Sequence, residues 1–365
     1  MSKKIYTIFA ILIMVTMLLA ACAQPTPEPT APPAEEPTAP PAEEPTEPPA
    51  VEFLACQVTD VGGIDDRSFN ETAWKGVQDA MAELGVDGRV LESRDQADYE
   101  RNINALIEEG CDIIITVGFL LGDATAEAAG LNPDQSFAIV DFAYDPTIDN
   151  VLGLVFATEE AAFLAGYAAA SVTQTGSVGT FGGIQIPPVT VFMDGFAMGV
   201  QYYNDQKGAD IQVLGWDPQA QTGLFTGNFD SLDDGRTMGE LLMGEGADII
   251  MPVAGPVGLG TAAAANERGG VYIIGVDTDW TISASEYADI TFTSVLKNMD
   301  VAVFEAIEAK YEGTFAGGVF VGTLENDGVG IAPFYGFDDM VSAETRAELD
   351  EITQLIIAGQ IQVMP

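Results

Sequence analysis

The chain of 365 residues contains no histidine, and only 13 lysine and arginine residues stand against 56 aspartate and glutamate residues. Without histidine there is no Ser-His-Asp triad, no Cys-His pair and no histidine metal ligand or proton shuttle. The formal net charge of −43 argues against nucleic acid as a partner, since phosphate backbones attract lysine and arginine. A hydrophobic content of 47% still indicates a folded chain, and this length favours two domains or lobes.

The first 22 residues have the features of an export signal. Lys3 and Lys4 precede an apolar run over residues 5–20, which is short for a membrane-spanning helix. The run ends in Leu-Ala-Ala-Cys22, which resembles the bacterial lipobox, where the peptide is cut before a cysteine that then carries lipid. We expect residues 1–21 to be a signal peptide and Cys22 to hold the protein on the extracytoplasmic face of the cell membrane. An ordinary secretory signal is the alternative.

Residues 22–50 contain the lipidated cysteine and a linker rich in proline and glutamate. Eleven of the 20 prolines lie here, within a repeated Pro-Thr-Ala-Pro-Pro-Ala-Glu-Glu unit. Such a segment cannot bury a core, so we expect an extended polyproline II stalk between membrane and folded body. A proline-rich recognition motif is the alternative.

Two cysteines remain in the body, Cys56 and Cys111, and both lie in or beside apolar runs. Two cysteines do not make a disulfide framework. We expect them to be small buried residues, with a single bridge as the alternative.

The body from residue 51 onward alternates short apolar runs with helical patterns. Residues 53–59 and 113–117 are typical of buried strands, whereas residues 70–84 and 343–357 carry apolar stripes of helical period. The order predicts an α/β fold with two doubly wound units in tandem, each a parallel sheet with helices on both faces.

In such sheets ligands bind beyond the carboxyl ends of the strands, and polar, glycine and aromatic residues follow several predicted strands here. These candidates are Asp65, Asp66, Phe69 and Asn70 after the first strand, Gly118 and Phe119 after the third, Asp141 after the fourth, and Gly255, Gly258, Asp277 and Trp280 in the second unit. Carboxylates accept hydrogen bonds from hydroxyl and amino groups, and aromatic rings stack on flat ligands. The set therefore favours a polyhydroxylated, ring-bearing and roughly neutral ligand.

Each of these signals has a plainer explanation. Asp65 and Asp66 fit a solvated loop or a helix N-cap, Trp74 and Phe229 fit the core, and Lys297 fits an ordinary helix start. The glycines around Gly255 lack the lysine of a P-loop, and the run at Asp277 is too short for an EF-hand.

Several motifs occur together in one order: GIDDRSFN (63–70), EAAFLAGY (160–167), GAD (246–248), GVDTD (275–279) and TSVLK (293–297). Together they resemble the BMP (basic membrane protein) or PnrA-like family, which consists of substrate-binding lipoproteins of ABC transporters, many of them specific for nucleosides. The resemblance covers nearly the whole body.

The resemblance implies a type I periplasmic-binding-protein fold, in which two Rossmann-like lobes are joined by a three-crossover hinge near residues 157, 295 and 323. Lobe 1 would comprise residues 51–156 and 296–322, and lobe 2 residues 157–295 and 323–365. The ligand would lie in the cleft and close the lobes.

The resemblance also assigns roles to the candidates. Asp65 or Asp66 would contact the base edge, while Trp74 and Phe229 would stack on the base. Asp141, Asp277 and Lys297 would hold the ribose hydroxyls, and Gly255 and Gly258 would supply backbone contacts. The family commonly has Gln where Trp280 follows the GVDTD motif, so a ring would replace a polar contact if Trp280 faced the cleft.

The sequence thus predicts a monomeric, extracytoplasmic receptor, not an enzyme, that delivers a nucleoside, most naturally a purine nucleoside, to an ABC permease. It predicts no cofactor, no metal and no nucleic-acid partner. A receptor or sensor for another small solute such as a sugar is the alternative. A nucleoside hydrolase with Ca²⁺ on Asp65, Asp66, Asp277 and Asp279 is a more distant one.

Overall fold

Two six-stranded sheets make up most of the strand structure that the computed structural model describes, which covers residues 53–365. The predicted signal peptide, Cys22 and the proline-rich linker lie outside these described residues. Within residues 53–365, none of the helices combines the length and the hydrophobicity that crossing a bilayer would require.

The strands are, in chain order, β1 (Leu54–Val58), β2 (Asp87–Leu91), β3 (Ile113–Val117), β4 (Ser136–Val140), β5 (Val151–Phe156), β6 (Ser177–Gly182), β7 (Gln212–Leu214), β8 (Trp216–Asp217), β9 (Thr222–Gly223), β10 (Ile249–Val253), β11 (Tyr272–Asp277), β12 (Thr291–Lys297), β13 (Gly318–Gly322) and β14 (Val329–Ile331). The short strands β8 and β9 pair only with each other.

The α-helices are α1 (Phe69–Glu83), α2 (Ala97–Glu109), α3 (Gly122–Leu131), α4 (Thr158–Val172), α5 (Pro187–Lys207), α6 (Leu232–Glu245), α7 (Val257–Arg268), α8 (Trp280–Ser283), α9 (Met299–Tyr311) and α10 (Ala343–Ile357). Three 3-10 turns accompany them at Phe119–Leu121, Ser285–Ile290 and Tyr335–Phe337.

The two sheets have corresponding strand orders. The first runs β13-β5-β4-β3-β1-β2 with every pair parallel, and the second runs β14-β12-β11-β10-β6-β7 with only β12 and β14 antiparallel. This confirms the predicted α/β class and its two doubly wound units. Because β4 and β11 hold the same place in their sheets, their carboxyl ends are equivalent positions.

The central strands explain why the sequence showed unbroken apolar runs instead of alternation. Every residue of β3, β4 and β10 is buried. A parallel strand covered by helices on both faces has no solvent side, so both sets of side chains are apolar.

The chain passes between the sheets three times. It leaves the first sheet after β5, returns after β12 to form α9 and β13, and crosses again to β14. The predicted three-crossover connection is therefore present. β12 continues to Lys297, so residues 296 and 297 belong to the second sheet. We propose lobe boundaries at these crossings.

The two body cysteines form a disulfide, which corrects the expectation of two free buried thiols. Cys56 in β1 and Cys111 just before β3 have Cα atoms 6.0 Å apart. β1 and β3 are adjacent parallel strands, with Cys56 opposite Ile114. The sequence could not show this, because the strand pairing brings together residues separated by 55 positions.

We predict that Cys56→Ala combined with Cys111→Ala will lower the free energy of unfolding by about 2–4 kcal/mol, because the bridge closes a long loop in the unfolded chain. Urea denaturation of the double variant and the parent protein measures the difference. An unchanged midpoint and slope would show that the bridge does not form. The parent protein treated with reductant under unfolding conditions is the matched control.

Candidate functional site

A cleft lies where the carboxyl ends of both sheets meet, and it contains about 600 Å³ of space between protein atoms, its open mouth included. This upper limit suits one small molecule. The polar residues lining it are Asp60, Asp66, Asn70, Asp141, Asp277 and Lys297. The apolar residues and glycines lining it are Val61, Phe69, Gly118, Phe119, Leu120, Ile186, Pro188, Val189, Phe192, Phe229, Val253, Ala254, Gly255, Pro256 and Val276.

Two aspartates occupy equivalent places on opposite sides of this cleft. Asp141 follows β4 and Asp277 ends β11, and their φ angles are 68° and 69°. Non-glycine residues adopt this left-handed conformation at a cost on the order of 1–3 kcal/mol, and such residues concentrate at functional sites. The backbone thus turns sharply at both strand ends and leaves each carboxylate in the cleft.

Lys297 connects the two sides. Its Nζ lies 2.5 Å from Oδ2 of Asp141, and the two side chains are 2% and 9% exposed. The same ammonium lies 4.8 Å from the Phe69 ring centre and 5.4 Å from that of Phe156. Cations are attracted to ring faces at such distances. Lys297 of the second sheet is therefore held by one carboxylate and two rings of the first half.

Burial raises the pKa of the Asp141 and Asp277 carboxyls, although the charge of Lys297 opposes both shifts. The single ammonium of Lys297 acts electrostatically on both carboxylates, but of the two only Asp141 forms a direct ion pair with it. Asp277 instead accepts a hydrogen bond of 2.8 Å from the Ser68 hydroxyl. The site consequently holds more acceptors than its own donors satisfy, and it suits a ligand that brings hydroxyl or amino donors.

The loop before α1 lines the cleft and makes contacts within the first half as well as with the second half. Asp66 accepts backbone N–H bonds from Ser68, Asn70 and Glu71, so it caps the start of α1. Arg67, at φ 55°, forms an exposed ion pair with Glu286, which lies in the 3-10 turn before β12 of the second half. The capping explanation of the sequence therefore holds for Asp66, which lines the cleft as well.

Aromatic rings reach the cleft from both halves. Phe69 and Phe119 come from the first, and Phe192 and Phe229 from the second. The Phe229 ring lies so close to Gly183 that a Cβ there would be 2.2 Å from Cε1 of the ring. Glycine at this position thus makes room for the ring.

Ten predicted site residues line the cleft, and four do not. The ten are Asp66, Phe69, Asn70, Gly118, Phe119, Asp141, Phe229, Gly255, Asp277 and Lys297. The four outside it are Asp65, Trp74, Gly258 and Trp280.

Trp280 and Gly258 belong to the core of the second half. Trp280 is fully buried, its Nε1 donates to the Val276 carbonyl at 3.1 Å, and its ring packs on Gly275. A Cβ on Gly258 would lie 2.8 Å from Cη2 of the same ring. The helix α7 begins at Val257 and places Gly258 in its first turn.

Trp74 and Asp65 also point elsewhere. Trp74 lies a turn into α1 and covers Gly88 of the edge strand β2, where a Cβ would be 3.3 Å from Cη2 of the ring. Asp65 is exposed, since its neighbour Asp66 takes the capping role.

Sequence reasoning missed Asp60 and Phe192. Asp60 is the second residue after the end of β1, close to the strand-end position that identified Asp141, so the signal was present. Phe192 lies in the first turns of α5 and is 2% exposed, which in sequence looks like any core residue.

The four aspartates considered for calcium do not converge. Asp65 is exposed, and Asp279 caps α8 and accepts a hydrogen bond from the Tyr335 hydroxyl at 2.6 Å. Among residues 53–365, no three cysteine, aspartate or glutamate side chains are grouped as a metal site. These four aspartates are therefore not grouped as the calcium site that the hydrolase alternative requires.

Two doubly wound halves, three crossings and a polar cleft between the strand ends are the features of the type I periplasmic-binding-protein fold. The model of the Bmp family, described as ABC transporter substrate-binding protein PnrA-like, matches residues 53–364. The chain belongs to this family, as the motifs predicted, and its relatives are solute-binding proteins of ABC transporters, not enzymes.

Individual relatives align with this chain over most of their length. The ABC transporter nucleoside-binding protein BmpA of Lactococcus lactis is 31% identical, covering 85% of this chain and 88% of the relative. Basic membrane protein A of Borreliella burgdorferi is 34% identical, covering 83% and 85%. The crystal structure of an ABC transporter solute-binding protein from Aeropyrum pernix matches with a TM-score of 0.77 at 29% identity, covering 85% and 92%.

Burial raises the pKa of Asp66 to about 6, although three backbone N–H bonds oppose the shift. A raised pKa means that the folded state binds the proton more tightly than the unfolded chain does. We therefore predict that the free energy of unfolding falls as the pH rises from about 4 to about 6, by on the order of 1–3 kcal/mol from this carboxyl. Urea denaturation at several pH values measures it.

Asp66→Asn should flatten this pH dependence, and Asp65→Asn in the same loop is the matched control, because Asp65 is exposed. A slope in Asp66→Asn equal to that of the parent would contradict the assignment.

Proposed function

We propose that the protein captures a nucleoside in the cleft and delivers it to the permease of an ABC importer. The observation that carries this proposal is the combination of excess acceptors around Lys297 with rings from both halves. A nucleoside matches both features, because its ribose hydroxyls can donate to the acceptors and its flat base can stack on the rings.

The ribose would lie at the Lys297 end. Asp141 and Asp277 each have an oxygen that takes no hydrogen bond from the described residues. Two carboxylates flanking one ammonium can accept two hydroxyl protons while the ammonium donates to a hydroxyl oxygen. Bonds to charged groups contribute about 1.5–3 kcal/mol each.

The base would lie between the rings of the two halves. Phe69 belongs to the first half and Phe229 to the second, so a base stacked between them would hold the halves together. Ligand binding would favour the closed arrangement in this way, and a permease could recognise that arrangement. The Lactococcus lactis relative is named a nucleoside-binding protein, which supports the ligand class.

The same proposal places the protein outside the cytoplasm, as a monomer tethered through Cys22 and the linker. A relative from Pyrococcus abyssi, 30% identical, is called a lipoprotein, which agrees with this anchor. A receptor for a sugar is the second candidate, because the hydroxyl-binding carboxylates would serve it equally.

The test is calorimetric titration of the protein, unfolded and refolded beforehand to remove bound ligand. Adenosine, guanosine, inosine, uridine and cytidine are titrated, with ribose and galactose for comparison. We predict micromolar or tighter binding of at least one nucleoside and no release of free base. Binding of a sugar alone would favour the second candidate, and silence for all nucleosides in folded protein would contradict the proposal.

Two variants locate the base within the same titration. Phe229→Ala should weaken nucleoside binding by about 1–3 kcal/mol, the usual contribution of base stacking on an aromatic ring. Trp74→Ala removes a ring of α1 that covers β2, and it should leave the affinity unchanged. The reverse pattern would contradict the placement.

A further inference from the structure

The orientation of the Asn70 amide is fixed by two carboxylates. Asn70 is 1% exposed, and its Nδ2 donates to Oδ1 of Asp60 at 2.9 Å and to Oδ2 of Asp66 at 3.2 Å. An amide nitrogen has two hydrogens, so both are used. The remaining atom, Oδ1, is a buried acceptor without a partner among the described residues. Since Asn70 lines the cleft, a ligand donor can satisfy it.

Beside this acceptor, Asp60 presents one carboxyl oxygen that can accept or donate a hydrogen bond, depending on whether the carboxyl is ionised or protonated. Its Oδ1 accepts from Asn70, whereas its Oδ2 takes no hydrogen bond from the described residues. Oδ2 lies against the backbone of Gly118, where a Cβ would be 2.7 Å away, and the φ of 119° at Gly118 also favours glycine. An ionised Asp60 offers an acceptor at Oδ2, and a protonated Asp60 offers an O–H donor.

The groups around Asp60 favour proton uptake. The carboxylates of Asp66, Asp141 and Asp277 face it from the α1 loop, β4 and β11, and Tyr99 of α2 lies behind it. Among the described residues that line the cleft, the one cation is Lys297, and it is bonded to Asp141. Burial, reinforced by the three carboxylates, raises the pKa of Asp60 well above its usual range, although Asn70 opposes the shift.

We propose that Asp60 makes the choice of base in this cleft depend on pH, an inference that rests on the proposed nucleoside function. With Asp60 protonated, the site presents a donor beside the Asn70 acceptor. Adenine matches this pair, because its N6 amino group donates beside a ring nitrogen that accepts. With Asp60 ionised, the site presents two acceptors. Guanine matches these, since its N1–H and N2 amino group donate side by side.

The test compares adenosine and guanosine affinities by calorimetry from pH 5 to pH 8.5. In the parent protein the ratio of guanosine to adenosine affinity should rise with pH, by up to about tenfold per pH unit where one proton is linked to binding. Adenosine binding measured in two buffers of different ionisation enthalpy should show proton uptake above the Asp60 pKa. This second measurement needs no variant.

Asp60→Asn should abolish the dependence and favour adenosine at every pH, because the new amide keeps an acceptor for Asn70 and always presents N–H to the cleft. Asp65→Asn, which removes an exposed carboxyl of the neighbouring loop, should keep the parent profile. A flat ratio in the parent, or a pH-dependent ratio in folded Asp60→Asn, would overturn the inference while leaving nucleoside binding intact. Absence of binding by both nucleosides at every pH would overturn the proposed function together with it.

Discussion

The buried contact between Lys297 and Asp141 is the interaction around which the cleft is organised. It joins the last residue of β12 in the second sheet to the residue that follows β4 in the first, at 2.5 Å and with almost no solvent contact. Removing two charges from water costs several kcal/mol per ion, and attraction offsets this only when the geometry is good. Such a pair adds little to stability, so its value lies in what it presents to a ligand.

What it presents depends on the strand ends. The parallel sheets bring Asp141 and Asp277 to equivalent corners, where each adopts a left-handed conformation that glycine would adopt more easily. An aspartate at each of these two corners places two carboxylates near the one ammonium of Lys297 inside the cleft. Several acceptors, including the Asn70 side-chain oxygen, remain without a hydrogen-bond donor among the described residues, and a ligand rich in donors can supply these bonds.

Many residues of this site could be predicted because the ends of the strands can be recognised in the sequence. Asp141, Asp277 and Phe69 come after apolar runs, and the doubly wound order places such residues at one edge. The family motifs added Lys297. Ring positions were harder to predict: Trp74 and Trp280 look as suitable as Phe229, yet helix packing on Gly88 and Gly258 turns both away. The disulfide could be offered only as an alternative, since its partners meet only through strand pairing.

The most direct test of this account is a crystal structure of the protein saturated with the nucleoside that it binds in solution. We predict that the ligand lies in the cleft with ribose hydroxyls within hydrogen-bond distance of Asp141, Asp277 and Lys297, and with its base between Phe69 and Phe229. A nucleoside bound outside the cleft, with these polar groups left in contact only with one another, would contradict the central claim.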